Sequence, residues 1–187
     1  MPKDVATINF ANDFFNPNLI KPKNIMSKVI VVYGSTTGTT EDIANRIAKA
    51  VDAETIGVSD MTDDTLASSD VLILGSSTWG SGELQDDWYD GVEKLKGSDL
   101  KGKRVAVFGC GDSSSYPDTF CDAMSIIASA AADGGATLIG RVSTDGYTFD
   151  SSASVQDGQF VGLALDEVNE SDKTDERISA WVSSLGL

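Results

Sequence analysis

The sequence predicts an α/β protein: one doubly wound parallel sheet with helices on both faces, in a single domain. Three observations lead there. Apolar runs without polar alternation, VIVVY at 29–33, DVLILG at 70–75 and KRVAVFG at 103–109, suit strands buried on both faces. Stretches of helical periodicity separate them, which is the alternation of a parallel sheet with crossover helices. Each run then ends in a loop of glycine and hydroxyl residues. In such sheets ligands bind beyond the carboxyl ends of the strands, near the switch point.

The elements follow in order. Residues 1–25 hold five asparagines and three prolines, with a net charge of +1 that leaves −16 for the remainder. They lack the continuous apolar core of a secretory signal. They are read as a poorly ordered extension outside the domain, and the domain as 26–187; Phe10, Phe14, Phe15 and Leu19 would suit an apolar docking stripe, but a translated upstream stretch is the favoured reading. Val29 to Tyr33 is the first strand, and Glu41 onward is a helix with Ile43, Ile47 and Val51 on one face. Glu54 to Val58 is a short strand, and Asp63 to Ser69 reads as a polar connection. The second apolar strand, 70–75, leads to a helical pattern over about Leu84 to Leu95, to which Trp88 and Tyr89 are assigned. The strand at 103–109 precedes a helix starting at Asp118 or Thr119, with Ala123, Ile126, Ile127 and Ala130 inward and Gly134-Gly135 at its end. Thr137 to Val142 is a strand with a bend at Gly140; 143–159 is polar, 160–165 is apolar, and Asp175 to Leu185 is the last helix.

Composition excludes several functions. Against 14 Lys+Arg stand 29 Asp+Glu, a formal charge of −15. Such a surface repels nucleic acid and anionic membranes and attracts basic proteins. There is no histidine, which removes histidine catalysis and most transition-metal sites. Cys110 and Cys121 form neither a metal spacing nor a disulfide framework. No apolar run approaches the ~18 residues of a membrane span, so a cytoplasmic protein is expected.

The chemistry concentrates in three loops. In the first, Ser35, Thr36, Thr37, Thr39 and Thr40 place five hydroxyls in six positions around Gly38. A helix cap needs one of them, and Thr39 with Asp42 has the spacing of a capping box. Five, directly after a buried strand and at a helix N-terminus, point to a phosphate held by hydroxyls and backbone N–H groups. The Lys of a Walker loop and the third glycine of a dinucleotide loop are both absent. The second loop, Ser76-Ser77-Thr78-Trp79-Gly80, and the third, Cys110-Gly111-Asp112 through Tyr116, each carry a large aromatic poorly placed for core packing. A planar ligand stacked between Trp79 and Tyr116 explains both.

The stretches GSTTGTTEDIA, SSTWGSGELQDDW, GCGDSSSYPDTFCDAM, STDGYTFDSS and FVGLALDE together resemble the flavodoxins. The resemblance implies a five-stranded sheet in the order 2-1-3-4-5. It also implies FMN, with its ring between Trp79 and Tyr116, its phosphate on Ser35 to Thr40, and Asp145 close by. Tyr147 to Gln159 is similar to the insertion that splits the last strand of long-chain flavodoxins, whereas GCGDSSSY looks more like the short-chain third loop. The implied protein is a monomeric, low-potential one-electron carrier rather than an enzyme. Its implied partners are proteins with basic docking surfaces, such as a flavodoxin/ferredoxin reductase and a terminal oxidoreductase. Acidic surroundings, including Asp112, disfavour an anionic reduced flavin. In similar proteins the peptide after the position of Trp79, here Gly80, turns its carbonyl to the one-electron-reduced ring. The rival reading is an FMN-dependent NAD(P)H:quinone reductase, whose nicotinamide site Trp79 and Tyr116 would obstruct. A response-regulator-like switch lacks its acidic cluster after the first strand.

Overall fold

The computed structural model describes residues 27–187; the expectations for residues 1–25 lie outside them. The strands are β1 (Val29–Gly34), β2 (Glu54–Gly57), β3 (Val71–Trp79), β4 (Glu83–Leu84), β5 (Arg104–Cys110), β6 (Thr137–Ile139), β7 (Val142–Ser143), β8 (Val155–Gln156), β9 (Gln159–Phe160) and β10 (Leu163–Leu165). The helices are α1 (Thr39–Val51), α2 (Asp63–Ser68), α3 (Trp88–Gly97), α4 (Ala123–Asp133) and α5 (Thr174–Ser184).

The sheet runs β2-β1-β3-β5, all parallel. Two short strands share the far edge of β5. β6 pairs with Arg104 to Ala106, and β10 pairs with Phe108 to Cys110, both parallel. The fifth strand is therefore split, and the expected order holds. Between its halves the chain makes a small antiparallel sheet, β7-β9-β8. The insertion thus spans 140–162, wider than expected, because Gly140 at φ 80° already turns the chain out of β6.

Two cores explain the unbroken apolar runs. Val31, Ile73, Ala106 and Phe108 face α1 and α5; Val32, Leu72, Leu74, Val105 and Val107 face α3 and α4. A strand covered on both faces has no solvent side, so alternation disappears.

Four readings are corrected. The stretch 63–68 is a helix, nucleated by a capping box between Thr62 and Thr65 and anchored by buried Leu66. The helix expected from Leu84 begins at Trp88, because Glu83 and Leu84 pair with β3 instead. The helix expected from Asp118 begins at Ala123, after a single 3₁₀ turn at Pro117–Thr119. Ile126, expected inward, is 38% exposed; Met124 and Ala131 take up the buried face.

Candidate functional site

The carboxyl ends of β1, β3 and β5 bring the three loops together. β3 reaches further than expected, through Trp79. Its last residues leave the parallel sheet and pair with β4 in a hairpin closed by Gly80 (φ 51°), Ser81 and Gly82 (φ 100°). The positive angles favour glycine at both positions.

In the first loop no side chain caps α1. Ser35 Oγ instead accepts from the Gly38 N–H at 3.1 Å. Gly38 lies at φ 92°, and a Cβ there would meet nothing within 4 Å, so its backbone faces open space. Among the described residues, the N–H groups of Thr36, Thr37, Thr39 and Thr40 have no hydrogen-bond partner. Those free donors stand at the positive end of a 13-residue helix. Thr36, Thr37 and Thr39 are exposed, whereas Thr40 is 1% exposed and its hydroxyl lies against the Cys110 thiol. Thr40 therefore offers the mouth its N–H, and its side chain belongs to the wall.

One buried residue ties the first loop to the second. Gln85, 3% exposed, donates from Nε2 to Thr36 Oγ1 at 3.3 Å and to Asp87 at 3.0 Å, and its N–H donates to Ser76 Oγ at 3.3 Å. Gly34 makes room for it, since a Cβ there would fall 2.3 Å from Gln85 Oε1. Trp79 is 42% exposed, and its indole N–H donates to Ser77 Oγ at 2.8 Å, which fixes the ring while leaving a face open. Thr78 Oγ1 accepts from the Ala123 N–H at 3.2 Å, tying β3 to α4.

The third loop wraps around two carboxylates. Asp112 Oδ1 accepts from the N–H groups of Ser114 (3.1 Å) and Ser115 (3.0 Å) and from Asn169 Nδ2 (2.9 Å). The Asn169 bond first, then the serine N–H groups, hold its carboxyl below the usual range. Asp166, 1% exposed, accepts from the Ser113 N–H and hydroxyl at 3.0 and 2.6 Å and from Asn169 at 2.9–3.0 Å. Burial alone would raise its carboxyl, but these donors outweigh burial and lower it. Both acids are committed to shaping the loop. Tyr116, at its far end, is 53% exposed. The insertion braces it from behind: the N–H groups of Asp150 and Ser151 donate to Pro117 O, and Phe149 stacks on Phe120 at 5.7 Å.

Asp145 follows the inserted strand β7. It bonds to Ser143 at 2.9 Å and lines a separate cavity with Arg141, Tyr147, Arg177 and Trp181. Three residues that organise the loops, Gln85, Asp166 and Asn169, were not singled out from the sequence. For Asp166 a signal existed: it directly follows an apolar strand, where the other loops begin.

The two cysteines occupy opposite cores. Cys110 packs toward α1 and α5, and Cys121 toward α3 and α4. Burial pushes the Cys110 thiol up to about 12 and raises that of Cys121 as well. With the sheet between them, no disulfide is expected. Wild-type protein treated with oxidant should keep its mobility on a non-reducing gel; a monomeric species of altered mobility would contradict this placement.

Comparison with known proteins agrees with the geometry. The flavodoxin family profile matches residues 31–181. Flavodoxin 1 of Azotobacter vinelandii is 40% identical over 167 residues, covering 86% of this chain and 96% of that protein. A flavodoxin of Synechocystis is 42% identical over 166 residues, with the same coverage. Among solved structures, the FMN-bound flavodoxin of Fusobacterium nucleatum is similar with a TM-score of 0.81 at 28% identity, covering 86% of this chain and 97% of that one.

Proposed function

The chain belongs to the flavodoxin family, and from that premise we propose that it carries electrons singly between larger redox enzymes through a noncovalently bound FMN. It is an electron-transfer protein rather than an enzyme, and the quinone reductase reading is not favoured.

The observation that carries the FMN reading is the open set of uncharged donors at the head of α1. The free N–H groups of Thr36, Thr37, Thr39 and Thr40 and the exposed hydroxyls of Thr36, Thr37 and Thr39, with no lysine or arginine in the loop, suit a dianionic phosphate. Trp79 and Tyr116 present half-exposed rings from the two neighbouring loops. When bound, FMN supplies a ring that accepts and releases single electrons.

The chain's own residues do the rest. Ser35 to Thr40 bind the phosphate while adding no positive charge. Ser76 to Thr78 and Cys110 to Asp112 form the walls, and Trp79 and Tyr116 orient the ring and exclude water from its faces. Gly80, already at positive φ, gives the adjoining peptide freedom to turn its carbonyl toward the ring. The surrounding acids keep the local potential negative, which disfavours added negative charge and lowers the reduction potential. We place the protein in the cytoplasm as a monomer; two unpaired buried thiols accord with a reducing compartment.

The test is reconstitution. FMN added to apoprotein should lose its fluorescence at one equivalent, and reductive titration should then proceed in two separable one-electron steps. Undiminished fluorescence at stoichiometric protein, or a single two-electron step, would count against the proposal.

Partner docking is electrostatic in this reading. Glu83 lies in the Trp79 hairpin, Asp86 and Asp90 come just after it, and Asp118 follows Tyr116. Complementary charge chiefly raises the association rate, with a Debye length of about 8 Å at physiological salt. Asp87 is a poor choice for reversal because it holds Gln85. Electron transfer from a basic reductase should slow as salt rises, and Asp86→Lys with Asp90→Lys should slow it at low salt. Indifference to both would reduce the acidic face to a solubility feature.

A further inference from the structure

A second cavity, of about 350 Å³, opens between the inserted sheet and α5. Val142, Leu163, Ala180 and Trp181 give it mostly apolar walls. Two arginines line it, in a protein with twice as many acids as bases. A small apolar-walled cleft with a few convergent polar groups is the usual form of a small-molecule site.

The arginines are unequally satisfied. Arg177 bonds through Nη2 to Glu170 at 2.7 Å and lies 3.9 Å over the Tyr147 ring. Its Nη1 is buried and meets no acceptor among the described residues. A buried donor without a partner is costly, and more so on a cation. Arg141 is exposed; it donates to Gln156 O and has no carboxylate partner among the described residues. The one acid in the cavity lining, Asp145, is turned to the Ser143 hydroxyl at 2.9 Å.

We propose that this cavity binds a small organic anion with an apolar body, such as an aromatic carboxylate. The body lies against Val142 and Ala180, above the buried Leu163 and Trp181, and the carboxylate is held by the exposed Arg141, with the Arg177 cation adding positive charge beside it. The site is separate from the three loops, so it does not depend on the FMN reading.

The experiment follows the indole N–H resonances of isotope-labelled, FMN-loaded protein during titration with naphthoate, naphthalenemethanol and naphthylmethylammonium. Trp181 serves as the reporter because its indole donates to Gly140 O at 2.7 Å beside the cavity. Naphthoate should shift the Trp181 resonance saturably and leave those of Trp79 and Trp88 in place. The alcohol and the ammonium should bind more weakly. Arg141→Gln, at an exposed position that the fold tolerates, should weaken naphthoate about tenfold; Asp145→Asn should strengthen it. No saturable shift at Trp181, equal binding of the alcohol, or unchanged naphthoate affinity in Arg141→Gln would overturn the proposal.

Discussion

Gly162→Ala is expected to be among the most destabilising single-methyl additions available in this chain. Gly162 lies between β9 and β10, where the insertion rejoins the sheet. A Cβ there would stand 2.0 Å from the Val107 carbonyl oxygen and 2.8 Å from its carbon. The obstacle is the backbone of β5, so no rotamer relieves it. β10 would have to move off Phe108 to Cys110, disturbing three registered pairs. The displacement would also reach Asp166, the next residue after β10, and through it Ser113 and the third loop. Overpacking of this kind costs about 1–3 kcal/mol and sometimes more; with the backbone as obstacle, about 3 kcal/mol is expected. Gly97→Ala is the control. Gly97 ends α3 with nothing within 4 Å of its added Cβ, so replacement should be neutral or slightly stabilising. Urea unfolding of both variants separates the cases. A Gly162→Ala midpoint equal to wild type would show slack between β5 and β10.

The same geometry explains how far the sequence could be read. The strands were legible because both their faces are buried, so each leaves an uninterrupted apolar run. The split edge was legible only through family resemblance: Thr137–Ile139 and Leu163–Leu165 are three residues each, too short for a periodic signal. α2 was missed for a similar reason, since six residues hold one buried side chain, Leu66. Ser76 to Trp79 read as loop because hydroxyls replace the apolar run. Ser76 and Ser77 continue the parallel sheet beside Gly109 and Cys110, and Thr78 and Trp79 are strand because β4, only two residues long, comes back to pair with them.

The candidate site divides along another line. The residues assigned to a ligand stand out in the sequence, because exposed hydroxyls and aromatics after buried strands have no packing reason to be there, and Thr36, Thr37, Thr39, Trp79 and Tyr116 are exposed in the structure. The residues that hold those loops in place do not stand out. Gln85 reaches Thr36 across 49 positions, and Asp166 and Asn169 reach Ser113 and Asp112 across 53 and 57. No local pattern marks a single polar residue whose partner is that distant. Asp145 is a further case: a family-like local motif singles it out, and its side chain bonds to the nearby Ser143 and lines a cavity with Arg141 and Arg177.

Thr37→Ala is expected to weaken FMN by about 1.5–3 kcal/mol, roughly 10- to 150-fold, while leaving riboflavin nearly unchanged. Thr37 is exposed beside Gly38, at the head of a helix that no side chain caps. Its hydroxyl has no hydrogen-bond partner among the described residues, so its removal disturbs no internal bond. The difference between the two ligands is the phosphate alone, and the ratio of their affinities isolates the loop's contribution from ring stacking. Thr40→Ala serves as a contrast. The Thr40 hydroxyl is buried against Cys110, so its loss opens a small void in the wall and should lower stability as well as affinity. Thr40→Ser keeps that hydroxyl and should recover part of both. Fluorescence titrations with each flavin, beside urea unfolding of the apoproteins, distinguish the two threonines. Equal loss of FMN and riboflavin in Thr37→Ala would show that this loop acts on the ring or on the fold, and the phosphate would have to be sought elsewhere on the molecule.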